Sequence, residues 1–94
     1  MYSLTNDIGE LIQIYYENIE IGNAEIKRMY PGISESTIAK LKDKARNIMA
    51  NKKIMPWEAR KVNTECAFEA WHLDITDLEK RFQKLQKLKK CAGG

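Results

Sequence analysis

Cysteine, proline, glycine and histidine are scarce in this 94-residue chain, and each scarcity closes off a class of protein. The two cysteines, Cys66 and Cys91, form neither a Cys-x-x-Cys pair nor a zinc set, so two reduced thiols are expected rather than a disulfide scaffold. Two prolines and five glycines supply too little turn chemistry for a collagen-like, linker-rich or many-turned all-β chain. The single histidine, His72, has no serine, cysteine or acid fixed beside it by motif spacing. There is also no glycine-rich phosphate loop and no His-Glu-x-x-His pair, so no catalytic residue, metal or cofactor is expected. No apolar run approaches the roughly 18 residues of a membrane span. Met1-Tyr2-Ser3-Leu4-Thr5-Asn6-Asp7 lacks the basic and apolar stretches of a secretory leader, and a cytoplasmic protein is expected.

What remains is a chain with 44% hydrophobic and 31% charged residues, the balance of one small folded domain spanning 1–94. The net charge of +3 conceals a segregation. Residues 1–35 carry six acids and two bases, whereas residues 36–61 carry two acids and eight bases. A concentrated cationic segment is the footprint of a polyanion binder, and also what a solvated lysine-rich helix face looks like.

Periodicity predicts an all-α fold of about five helices. Ile8, Leu11, Ile12, Tyr15, Tyr16 and Ile19 recur at helical spacing over about 6–19, with Thr5, Asn6 or Asp7 as cap. Asn23 is read as the cap of a short second helix, with Ile26, Met29 and Tyr30 inward, stopped by Pro31-Gly32. Ser34 caps a long third helix reaching Asn51, with Ile38, Leu41, Ala45, Ile48 and Met49 as its stripe. Residues 52–62 read as a basic connector with a turn of helix after Pro56, and Trp57 as cover for the core edge. A C-terminal helical hairpin over 63–90 follows, with Thr64 capping its first helix and a Thr76–Glu79 capping box opening its second. Cys66 falls on the apolar side as an inert thiol. Lys87, Lys89 and Lys90 suit the negative end of the last helix.

Residues 24–41, Ala-Glu-Ile-Lys-Arg-Met-Tyr-Pro-Gly-Ile-Ser-Glu-Ser-Thr-Ile-Ala-Lys-Leu, resemble the helix-turn-helix of small DNA-binding regulators, within a unit spanning 23–51. Ile26 and Tyr30 dock the first helix, Gly32 and Ile33 make the corner, and Ile38 and Leu41 face inward. The interval from Tyr30 to Ile33 is one residue longer than in the tightest prokaryotic form, as in homeodomain-like variants, and Lys27 replaces the usual small residue. In its lysine- and isoleucine-rich style the chain is similar to small proteins of phages and conjugative elements in low-GC Gram-positive bacteria. The resemblance implies double-stranded DNA as partner, with Ser34, Glu35, Ser36 and Thr37 at the reading end of the recognition helix. Lys40 and Asp43 lie on its next exposed turns, while Lys27, Arg28 and Lys44 flank as phosphate contacts. Lys52, Lys53, Arg60 and Lys61 of the connector would lie against the backbone.

The C-terminal half echoes the first. Asn23, Ile26, Met29 and Tyr30 correspond at an offset of 41 to Thr64, Ala67, Ala70 and Trp71. Ser34 and Ile38 correspond at an offset of 40 to Asp74 and Leu78. This is either a second helix-turn-helix or another helical hairpin, and Asp74, Asp77 and Glu79 at the reading end favour the hairpin. Leu78, Phe82, Leu85 and Leu88 also offer a homodimer seam. The rival to a DNA-binding regulator or accessory factor is a helical protein–protein adaptor. A DNA-recognition subunit of a phage packaging or replication complex is the third reading.

Overall fold

The computed structural model describes residues 3–93, with side chains as far as Leu88. The side chains of Lys89, Lys90 and Cys91 lie outside the described residues. Five helices and one two-stranded ribbon follow in the order α1 (Ile8–Glu17), β1 (Glu20–Ile21), α2 (Asn23–Met29), α3 (Glu35–Asn51), β2 (Val62–Asn63), α4 (Thr64–Ala70) and α5 (Ile75–Gly93). The fold is the mostly helical small domain that periodicity predicts, with the ribbon added.

Two residues are too few for a period-two pattern, which is why the ribbon escaped the sequence reading. β1 and β2 run antiparallel, with Glu20 opposite Asn63 and Ile21 opposite Val62. Ile21 and Val62 are fully buried and join Leu11, Ile14, Ile26, Met29, Ile38, Ala45, Met49 and Phe68 in one core. Trp71 closes that core. Its ring meets Tyr30 edge-on at 6.0 Å, and its indole N–H donates to the Leu41 carbonyl at 2.9 Å.

The ribbon reveals an internal relationship. Ile21 and Val62 are equivalent at the offset of 41 and face each other; Tyr30 and Trp71 are equivalent at the same offset and touch. The ribbon and the ends of α2 and α4 therefore bring equivalent positions of the two halves together. The correspondence ends at the last helix: α3 packs on α4, whereas α5 packs on α1. The Phe82 ring lies against Gly9, where even an added methyl would come within 3.1 Å of it.

Several caps differ from expectation, each for a local reason. Asp7, one of the three caps expected for α1, does cap it: its carboxylate accepts from the Glu10 amide, so the helix starts at Ile8, and it stops two residues short of Ile19. The cap of α2 is Gly22 rather than Asn23, since the Glu25 carboxylate reaches back to the Gly22 amide at 2.7 Å. Asn63, not Thr64, caps α4: the Thr64 hydroxyl is buried and donates to the Asn18 carbonyl at 2.6 Å, leaving the Asn63 amide oxygen to accept from Cys66. Asp74, not the Thr76–Glu79 box, opens α5, accepting from the Thr76 amide at 2.9 Å. Ser34 caps α3 as expected.

Candidate nucleic-acid interface

α2 and α3 are consecutive helices joined by a short corner over residues 30–34. The corner is a turn closed by the Ile33 N–H donating to the Tyr30 carbonyl at 3.1 Å. Pro31 takes its second position and Gly32, at φ 85°, its third, the arrangement of a type II turn. Ile33 then drops into the core and Ser34 starts the next helix.

The exposed side of α3 follows from its buried side. Ile38, Ala45 and Met49 are buried and Leu41 and Ile48 pack against them. At about 100° per residue the opposite stripe is Ser36, Lys40, Asp43, Asn47 and Ala50, all exposed. Lys44 lies on one flank with the half-buried Thr37; Glu35, Ala39 and Arg46 lie on the other. Four site residues predicted from sequence, Ser36, Lys40, Asp43 and Lys44, therefore come together on a single helix surface. Asn47 was missed, although its place four residues beyond Asp43 in the heptad-like series from Ser36 was the available signal.

The basic connector is built onto the flank of α3. Lys42 is buried and its ammonium donates to the Arg60 carbonyl at 2.7 Å, while Arg46 donates to the Ala59 carbonyl at 3.3 Å. Burial lowers the pKa of Lys42, and the nearby Arg46 and Arg60 charges lower it further. Arg60, so held by its backbone, has an exposed side chain beside α3. In place of a turn of helix after Pro56, the chain bends at Trp57, whose amide donates to the Glu20 carboxylate at 2.6 Å, and then makes a single turn closed by the Lys61 amide on the Glu58 carbonyl at 3.1 Å. The expectation for Trp57 is overturned, since 77% of it is exposed and it covers no core edge. The core at that end is already closed by the ribbon.

The cations expected at the site divide into two groups. Arg28 pairs with Glu10 at 2.6 Å, Lys52 with Glu69 at 3.2 Å and Lys61 with Glu58 at 2.9 Å, which commits part of their charge within the chain. Lys27, Lys40, Lys44, Lys53 and Arg60 are exposed and have no ion pair among the described residues. Asp43, on the exposed stripe of α3, lies 3.6 Å from Arg46.

Other chemistry is sparse among the described residues. No cluster of three metal-ligating side chains occurs there, and no helix is long and apolar enough to cross a membrane. Cys66 is buried, and burial pushes its thiol upward, away from reactivity. His72 is exposed at the second corner. The C-terminal stripe is divided: Leu78 packs on the core and Phe82 on α1, while Leu85 and Leu88 remain 39% and 67% exposed.

Compared with known proteins, the chain matches no family model, no curated sequence and no solved structure.

Proposed function

We propose that the chain binds double-stranded DNA sequence-specifically, inserting α3 into the major groove as a small transcriptional regulator or mobile-element accessory factor. One observation carries the reading. The outward stripe of α3 presents short polar side chains, Ser36, Asp43 and Asn47, while cations stand on it and beside it at Lys40, Lys44, Arg46 and Arg60. A major groove admits a helix of this kind: short side chains permit close approach to base edges, and flanking cations meet the phosphates on either side. Lys27 on α2 and Lys53 just beyond α3 are further exposed cations. Asp43 and Glu35 oppose indiscriminate binding, because a carboxylate near base edges tolerates only a donor such as the cytosine amino group.

The test is a fluorescence-anisotropy titration with a mixed-sequence duplex at several salt concentrations. Binding should weaken with a log–log slope of about −0.9 per phosphate neutralised. It should weaken further in Lys40→Ala/Lys44→Ala, whose helicity circular dichroism should find intact. Absence of binding at low salt overturns the reading and leaves a helical protein–protein adaptor.

A further inference from the structure

Away from α3 the surface changes character. Tyr16, Ile19 and Trp57 are 64%, 62% and 77% exposed, an unusual investment of large apolar groups in solvent. They are contiguous: Ile19 and Trp57 line one hollow, and Tyr16 and Ile19 line the next. The rim of the two hollows carries the carboxylates of Glu17, Glu20, Glu58 and Glu65 against the single ammonium of Lys61. The backbone at Trp57 is held there: its amide and that of Glu58 both donate to the Glu20 carboxylate. An acidic rim of this kind repels a nucleic-acid backbone and suits a basic, apolar partner.

The same chain carries that partner. Leu85 and Leu88 are exposed on the distal half of α5, with Lys84 and Lys87 beside them. The helix end cannot fold back onto its own hollow. The Tyr16 hydroxyl donates to the Glu79 carboxylate in the first turns of α5, which fixes the hollow beside the start of the helix. Leu88 lies about 13 Å further along that rigid axis.

We propose that two copies of this chain associate reciprocally, the Leu85–Leu88 end of each α5 seating in the Ile19–Trp57 hollow of the other. Reciprocity closes the assembly as a two-fold dimer and uses both contacts, which matters because a stable interface needs about 800 Å² from each partner. The acidic rim meets Lys84 and Lys87, so association weakens as salt rises. The inference stands independently of DNA binding.

Sedimentation velocity of the full chain over a concentration series tests it, together with Leu88→Glu and Trp57→Ala. Both residues are largely exposed, so both variants should keep the wild-type circular dichroism. The wild type should be a dimer, and each substitution should raise the dimer dissociation constant at least about tenfold. Trp57 emission should shift to the blue on dimerisation, against a constant contribution from buried Trp71. A wild type that stays monomeric up to about 1 mM overturns the proposal. So does a dimer that Leu88→Glu dissociates and Trp57→Ala leaves intact, which is the signature of an α5–α5 seam. A dimer indifferent to Leu88→Glu overturns it equally.

Discussion

Gly32 and His72 hold the same left-handed position in the two corners, each two residues before the cap of the following helix, with φ of 85° and 60°. The corners reach it differently. Gly32 completes a proline-led turn, whereas His72 ends α4: its amide donates to the Glu69 carbonyl and the Leu73 amide to the Phe68 carbonyl. This is the Schellman pattern, in which glycine is the usual residue. The second corner is one residue shorter, which accounts for the change of offset from 41 to 40.

That equivalence yields opposite outcomes at equivalent sites. Gly32→Ala places a Cβ in a left-handed backbone and should destabilise by about 1–2 kcal/mol. His72→Gly relieves the same strain, less the extra chain entropy of glycine, and should stabilise by about 0.5–1 kcal/mol. Urea midpoints of the two variants check both signs.

The caps give a second pair. Asp74→Ala removes the acceptor for the Thr76 amide and a favourable charge at the start of α5, and should cost about 1 kcal/mol. Thr76→Ala, inside an exposed first turn, should change stability by less than about 0.5 kcal/mol. Equal losses would return the cap to Thr76.

These corners also show how far the sequence was legible. Helical period placed the five helices, and the pairing of Tyr30 with Trp71 and of Ser34 with Asp74 could be aligned from residue types alone. The cap of α4 was assigned to Thr64, although Asn63 beside it is an equally good capping residue type. Only the tertiary contact of the Thr64 hydroxyl with Asn18 separates them. Trp57 failed for a related reason: its exposure depends on the Glu20 clamp across 37 residues, which no local pattern encodes. On α3 the cationic composition was visible, but which lysine turns inward was not. Lys42 is buried because the returning connector offers its amine a carbonyl.

Lys42 should therefore leave a mark on the alkaline stability profile. Burial, reinforced by Arg46 and Arg60, holds its folded-state pKa below that of the unfolded chain. Between the two values the unfolded state binds more protons, so stability gains with rising pH. As pH rises toward the ordinary lysine value of about 10.5, the wild type should gain stability relative to Lys42→Met. Taking the difference between the two proteins cancels the opposing trend from Lys52 and Lys61, whose raised values withdraw stability as pH rises. Denaturant midpoints measured across that range should diverge in this direction only.

If α3 reads DNA, its two kinds of side chain should fail in different ways. Lys40 meets phosphate, so Lys40→Ala should weaken every duplex alike and reduce the salt slope by about 0.9. Asn47 faces base edges from the same stripe, and an amide is suited to a bidentate contact with adenine. Asn47→Ala should leave the salt slope unchanged and cost about 1–3 kcal/mol on a selected site, with little loss on mixed sequence. Site selection followed by paired salt titrations separates the two. A uniform loss for Asn47→Ala would place that residue against the backbone and turn the reading stripe toward Ser36 and Lys40.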